Sequence, residues 1–295
     1  MRGNKAMRKP IQRMAVIFLT PALIFYLWLF IYPSLKAFYI SLFDWNGFTS
    51  GMNFVGLKNF KELMGDSSFW NVAVKNSLLI TFAGGAIIFG ISFLLCAILS
   101  GKIRGKKFFR ALIFFPSVIN PIAIAILWTF IYNPNPTQGL LNAILTKIGL
   151  PPCDFLRSAD TAMNSIIFMS GWHAAGNQMM ILLAGLQAIP EDLYEAASID
   201  GAGAWKKFLY VTLPGIKNVL IFVVMMTTIA AMKLFTQPYV MTNGGPKEST
   251  MTLTYYLYRQ GFQYRNMGYA SAVSVIFFIV VVGISVGVKK MMKAR

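Results

Sequence analysis

Six hydrophobic runs divide this chain, and they constrain its fold more than any other feature of the sequence. A helix needs about 20 apolar residues to cross a bilayer, where every backbone polar group must be satisfied within the segment. Only the fifth run contains a charged residue, Lys233. We therefore predict an all-α integral membrane protein with six transmembrane helices. The predicted spans are about 14–32, 76–101, 111–131, 161–189, 218–239 and 267–288.

The charge distribution predicts the orientation of these spans. The formal net charge is +17, and most of the 27 basic residues lie beside the ends of spans that face one side of the membrane. Lysine and arginine are enriched on the cytoplasmic side, so we predict that both termini are cytoplasmic. Basic tails at 1–13 and 289–295 then flank a single membrane domain at 14–288. Nucleic-acid binding is not needed to explain the charge.

A polar loop at 190–217 separates the fourth and fifth predicted spans. Its first residues after Pro190 are Glu191 and Asp192, which favour a helix N-terminus because the helix dipole is positive there. Gly201 suits a left-handed cap at the end of that helix. We predict one short helix over 191–199, a hinge at Gly201, and a second helical piece over 202–210 that ends before Pro214.

This loop also resembles a known family. The spacing of Glu195-Ala196-Ala197, Gly201 and Val211-x-Leu213-Pro214 resembles the coupling-loop signature of the membrane subunits of ATP-driven, binding-protein-dependent (ABC) importers, with Val211 where isoleucine is usual. Segments 54–60, 132–142 and 182–190 are similar to the same family. The ending Thr242-Asn243-Gly244-Gly245-Pro246 resembles the first permease half of maltose-type and glycerol-3-phosphate-type systems. The resemblance covers about residues 14–290.

The resemblance implies a type I ABC importer permease fold in a bacterial cell membrane. It implies four kinds of partner: the lipid bilayer, a second and different permease, two cytosolic ATPase subunits and an extracellular solute-binding protein. The chain has no Gly-x4-Gly-Lys-Ser/Thr sequence of its own, so ATP and Mg are expected on the ATPase and no cofactor on this chain. The resemblance of the loop to the coupling-loop signature implies that these residues couple the chain to the ATPase: Glu191, Tyr194, Glu195, Ala196, Ala197, Asp200, Gly201, Leu213 and Pro214.

Polar residues inside the spans are candidates for a substrate path. Pro116 and Pro121 should kink or break the third span around Asn120, which membranes tolerate where protein or water satisfies the backbone. Polar side chains in the fourth span could line a cavity or could only bond neighbouring helices. Lys233 could reach the interface, or face a path together with Gln237 one turn later. The candidates are Asn120, Ser170, His173, Asn177, Gln178, Lys233 and Gln237.

The composition argues against other classes. His173 is the only histidine, and no Cys/His spacing suits a metal, so we expect neither a metal site nor a catalytic triad. None of the ten acidic residues falls inside a predicted span, which leaves an ion-coupled secondary transporter without an obvious carboxylate carrier. We predict a permease subunit for a sugar or oligosaccharide. An importer of glycerol phosphate or amino acids, and less favourably an ion-coupled transporter, stay open as alternatives.

Overall fold

The computed structural model describes residues 3–48, 51–101 and 103–293, and regular structure in them is overwhelmingly helical. The predicted terminal tails lie partly outside these residues. The α-helices are α1 Gly3–Tyr26, α2 Tyr32–Ile40, α3 Lys58–Gly65, α4 Lys75–Leu79, α5 Gly85–Ser100, α6 Lys106–Val118, α7 Pro121–Ile131, α8 Leu140–Lys147, α9 Ala159–Gln187, α10 Glu191–Ile199, α11 Ala204–Lys207, α12 Leu213–Gly215, α13 Lys217–Met232, α14 Leu253–Tyr258 and α15 Met267–Lys293.

Three π-helical turns, Leu27–Ile31, Ile80–Gly84 and Phe208–Thr212, join consecutive helices without a break. Ser68–Val74 leads directly into α4, Arg259–Gln263 continues α14, and Pro238–Thr242 lies between α13 and α14. The two short strands, β1 Phe43–Asp44 and β2 Asn53–Phe54, pair antiparallel with Phe43 opposite Phe54.

Three helical runs among the described residues are long and apolar enough to cross a membrane. They are Val16–Ile40, Ser68–Ser100 and Met267–Lys290, and the count rises to five if each of two bent helix pairs is one span. The pair α6 and α7 bends by 97°, and the pair Ala204–Gly215 and α13 bends by 68°. α9 has 29 residues at the place of the fourth predicted span, but its polar residues keep it below the same hydropathy. Six spans therefore stay a prediction.

The chain divides into two compact units. The first comprises Met1–Gly65 and Leu257–Phe278. In it, the buried amide of Asn59 donates to the carbonyl oxygens of Ser41 and Phe43, both at 2.9 Å. Gly268 packs directly on the Phe43 carbonyl, where a Cβ would overlap the oxygen. The hairpin of β1 and β2 is thus held by a buried asparagine that follows it in the chain.

The second unit, Asp66–Tyr256 with Ile279–Arg295, is built on the parallel pair α5 and α9. A Cβ on Gly171 would lie 3.1 Å from the Ile87 side chain, and Ser92 Oγ donates to the Ala175 carbonyl at 3.0 Å. The second contact lies about one helical turn later than the first on both helices, so α5 and α9 run in the same direction. Small residues at this seam let the backbones approach closely, as is common in membrane helices.

Candidate functional site

The loop between α9 and α13 contains the predicted short helix. α10 spans Glu191–Ile199, as the sequence predicted, with Pro190 as its N-cap and both Glu191 and Asp192 in its first turn. No residue of α10 is buried. Leu193 keeps 51% of its surface exposed and Ile199 keeps 87%.

Gly201 forms the turn that ends α10. Its φ is +72°, the left-handed region that side chains with a Cβ rarely adopt. The turn closes with hydrogen bonds from the Ala202 amide to the Ala197 carbonyl at 2.9 Å and from the Gly201 amide to the Ser198 carbonyl at 3.1 Å. This is the Schellman arrangement that satisfies the last carbonyls of a helix, and it confirms the left-handed turn predicted at Gly201.

Side-chain bonds fasten α10 to the returning chain. The hydroxyls of Tyr194 and Thr212 lie 3.0 Å apart, and Lys207 Nζ donates to Ser198 Oγ at 2.6 Å. α10 therefore has two attachments to the segment that leads into α13, in addition to the backbone turn at Gly201.

The second helical piece does not end before Pro214, and that prediction is wrong. The helical run continues from Ala204 to Gly215 and includes the proline. The π-helical turn Phe208–Thr212 widens the backbone just before Pro214, where the ring of a proline would otherwise meet the preceding turn. The chain bends one step later, at Ile216, before α13 begins.

The predicted coupling residues lie in this loop, on α10, its turn and the returning helix. Glu191, Glu195, Ala196, Asp200, Gly201, Leu213 and Pro214 are exposed, and Tyr194 and Ala197 are half-buried. They form an accessible surface of carboxylates and small side chains on a helix that two side-chain bonds attach to the returning chain.

A second candidate site lies at the break between α6 and α7. The break falls at Ile119 and Asn120 because the residue before Pro121 is held out of helical geometry. Asn120 has ψ of 130°, and its Oδ1 accepts from the Ile122 amide at 2.8 Å as the N-cap of α7. Pro116, by contrast, stays inside α6. The predicted break is confirmed, and Pro121 causes it.

Polar groups of α9 face this break. His173 Nε2 lies 3.2 Å from the Ile119 carbonyl oxygen, which no helical bond satisfies at that point. Ser117 Oγ donates to the His173 carbonyl at 2.6 Å and accepts from the Asn177 amide at 3.2 Å. The serine hydroxyl thus inserts into a backbone hydrogen bond of α9. Three predicted residues, Asn120, His173 and Asn177, are brought together here.

Ser170 lies on the same face of α9 as His173 and Asn177, three and seven residues before them, whereas Gln178 lies on a different face. Gln178 is only 8% exposed, and its Oε1 has no hydrogen-bond partner among the described residues, whereas the neighbouring Asn177 side chain is exposed. Ser170 is half-buried, with its Oγ likewise lacking a partner. A buried polar atom without a partner costs free energy, so each of these groups is a place where water or a solute could bind.

Lys233 and Gln237 do not share a helical face, and that prediction is wrong. α13 ends at Met232, and Lys233 is its exposed C-cap, whereas Gln237 is buried beyond a non-helical stretch. The helix stops because side chains from the 252–254 segment, rather than later backbone amides, bond carbonyls at its end and just beyond it. Thr254 Oγ1 donates to the Met232 carbonyl at 3.3 Å, and Thr252 Oγ1 donates to the Leu234 carbonyl at 2.8 Å.

Sequence reasoning missed Ser117, Thr212, Ser198 and Lys207. A serine between two prolines in a hydrophobic run was the available indication for Ser117. Nothing in the sequence indicated the pairs Tyr194–Thr212 and Ser198–Lys207, because they join residues that become neighbours only after the chain turns at Gly201.

Replacing Ser117 with alanine tests the contact between α6 and α9. We expect Ser117→Ala to lower stability by about 0.6–1 kcal/mol, the usual value of a hydrogen bond between membrane helices. Ser34→Ala is the matched control, because Ser34 Oγ bonds only the Phe30 carbonyl of its own helical run. Thermal unfolding of the detergent-solubilised protein measures both. Equal midpoints for the two variants would contradict a bond between the helices at Ser117.

These features define a multi-pass membrane protein in which an exposed helix, α10, connects α9 to the bent helix pair that includes α13. The family model described as binding-protein-dependent transport system inner membrane component matches residues 94–290, and the chain belongs to that family. It is therefore a permease subunit located in a cell membrane. The family relationship does not favour an ion-coupled secondary transporter.

Individual relatives agree with this assignment. The probable ABC transporter permease protein YurN of Bacillus subtilis is 38% identical over 94% of this chain and 95% of its own length. The trehalose/maltose transport system permease protein MalF of Thermococcus litoralis is 34% identical over 93% of this chain and 92% of its own. The arabinooligosaccharides permease AraP of Bacillus subtilis is 32% identical, covering 91% and 85%.

Among solved structures, a bacterial ABC transporter involved in the import of the acidic polysaccharide alginate matches with a TM-score of 0.82. The match covers 98% of this chain and 99% of that chain at 22% identity, which shows a common fold.

Proposed function

We propose that this protein forms half of the membrane pathway of an ATP-driven importer for a sugar or oligosaccharide. The observation that carries the substrate class is the set of relatives: permeases for trehalose/maltose, for arabinooligosaccharides and for multiple sugars are each at least 32% identical over 90% or more of this chain. A permease for sn-glycerol-3-phosphate and one for osmoprotective compounds are also similar, at 31% and 33% identity. A polyol phosphate is therefore the second candidate.

The membrane domain is proposed to cross six times. Three straight spans and two bent pairs supply five crossings by length and composition. α9 supplies the sixth: at about 1.5 Å per residue its 29 residues exceed the hydrocarbon thickness of about 30 Å. Its polar residues are tolerable because half of the helix is buried against other helices rather than exposed to lipid. The basic residues then place both termini in the cytoplasm.

The functional assembly is proposed to contain a second permease, two ATPase subunits and an extracellular solute-binding protein. ATP and Mg belong to the ATPase subunits, and α10 is the coupling helix that docks on one of them. Closure of the ATPase pair pushes α10, and the turn at Gly201 with the two side-chain bonds passes that push into the bend before α13. The change between inward-open and outward-open states then follows from differential binding of nucleotide and loaded binding protein.

The solute path is proposed to pass the break between α6 and α7. Irregular backbone at membrane depth is tolerated where it lines a cavity, and transporters place solutes at such discontinuous helices. His173 and Asn177 are the α9 residues nearest the break, and Ser170 and Gln178 offer further polar atoms without partners. Selectivity among sugars is expected to depend mainly on the binding protein.

Ile199 tests the docking of α10. A side chain that is 87% exposed at the end of a rigid helix is expected to enter an apolar pocket of the ATPase. Ile199→Asp should therefore reduce the ATPase recovered with the affinity-tagged chain from mild-detergent membranes by about tenfold or more. Phe48→Asp is the control, since Phe48 is 71% exposed but lies between the first and second predicted spans, on the side opposite the cytoplasmic termini.

The same purification distinguishes the wider alternatives. Mass spectrometry of the recovered material should identify a second permease and an ATPase with a phosphate-binding loop. Loss of the ATPase from the double variant of Glu195 and Gly201, with the second permease still recovered, would support the docking surface. A chain that purifies alone and still transports would contradict the assembly, and uptake assays with sugars against glycerol phosphate would decide the solute class.

A further inference from the structure

A large apolar cavity lies behind the loop that carries α10. Its volume is about 810 Å³, within the range of about 300–1,000 Å³ typical of ligand pockets. The walls come from the C-terminal halves of α5 and α9 and from the returning chain of the loop, including Trp205 and Phe208. Every part of it belongs to the second unit.

The cavity changes character along its length. α5 and α9 run in parallel, so residues earlier in both helices lie deeper in the bundle than residues at their ends. The deep part is lined by Phe93 and Leu182, and the mouth by Ser100 and Gln187. The part of an occupant deep in the bundle therefore contacts apolar side chains, and the part at the mouth contacts polar groups. This gradient matches an amphiphile, and a free sugar would leave most of the wall without a polar partner.

The mouth carries positive charge. Lys106 is the one charged side chain among the described residues that line the cavity. Its Nζ donates to the carbonyl oxygens of Ser100 at 3.2 Å and Gly101 at 3.4 Å, which leaves one of its three donors available. The surrounding turn 101–110 contains five basic residues and no acidic one.

From these observations we propose that the cavity binds one anionic phospholipid of the inner leaflet, with an acyl chain along α5 and α9 and the phosphate at Lys106. Basic pockets between membrane helices on the cytoplasmic side are known binding places for anionic headgroups. The proposal rests on the cytoplasmic orientation proposed above. Because Tyr194, Trp205 and Thr212 form one wall, a bound lipid would hold the coupling loop in the geometry described.

The test uses the assembled transporter, reconstituted in bilayers that mix phosphatidylglycerol with phosphatidylcholine. Native mass spectrometry then counts the phosphatidylglycerol that stays bound after extraction. Lys106→Ala should lower the retained lipid about fivefold, whereas Lys107→Ala, the same charge change one residue beyond the cavity lining, should not. Ala97→Phe should exclude the acyl chain without altering charge, and Ala111→Phe on the exposed side of α6 is its control.

The outcomes separate this site from the rest of the mechanism. Equal losses for Lys106→Ala and Lys107→Ala would show only general attraction of the lipid to positive charge and would overturn the proposal. Undiminished lipid in Ala97→Phe would overturn it as well. Recovery of the ATPase with each variant verifies folding, and loss of the ATPase from Ile199→Asp with normal lipid retention would concern the docking surface alone.

Discussion

Gly201→Val is expected to leave the protein in the membrane while uptake falls by about tenfold or more. A β-branched residue at a φ of +72° is strained by at least about 1–2 kcal/mol. Each 1.4 kcal/mol of strain lowers the population of the left-handed turn about tenfold. The chain relieves the strain by leaving the left-handed turn, and the bond from Ala202 to Ala197 is then lost. α10 would no longer transmit a push to α13. ATP hydrolysis by the assembly should continue without stimulation by the loaded binding protein.

Gly203→Val is the matched control for this prediction. A Cβ at either glycine meets nothing within 4 Å, so steric contact does not distinguish the two positions. Gly203 has φ of −68° and ψ of 170°, an extended geometry that valine adopts readily. Uptake of radiolabelled solute and ATPase activity in proteoliposomes measure both variants. Equal behaviour of the two, or normal uptake by Gly201→Val, would remove the lever from the mechanism.

The coupling loop was predictable because its structure is local. Proline and two acidic residues begin α10, and a glycine in left-handed geometry ends it within one further turn, so both ends of the helix are decided by adjacent residues. The break after α6 was predictable for the same reason, since Pro121 acts on the residue just before it.

The long-range contacts were not predictable. Which carbonyl His173 meets depends on how α6 docks on α9, and nothing in either helix alone decides that docking. The end of α13 at Met232 is imposed by threonines about 20 residues later, whose hydroxyls replace helical donors. The helical pattern alone predicted that Lys233 and Gln237 share one helical face, but the helix ends before either residue. Tertiary hydrogen bonds overrode the local preference.

A substitution at the close approach of α6 to α9 is expected to cause the largest loss of stability. Gly176 lies against the α6 backbone, where a Cβ would overlap the Ile113 carbonyl oxygen and lie 2.9 Å from Ser117 Oγ. Because backbone cannot rotate away as a side chain can, Gly176→Ala forces the helices apart. The separation also removes the hydroxyl of Ser117 from α9 and the His173 ring from Ile119. We expect a loss of about 2–4 kcal/mol in the free energy of unfolding.

Gly90→Ala provides the comparison, because a Cβ at Gly90 of α5 meets nothing within 4 Å and alanine favours a helix. Its unfolding midpoint in detergent should be unchanged or slightly higher, whereas that of Gly176→Ala should fall clearly. If Gly176→Ala unfolds like the wild type, α6 and α9 are not in contact as described. The helix break would then lack its support from α9, and the solute path proposed there would lose its structural basis.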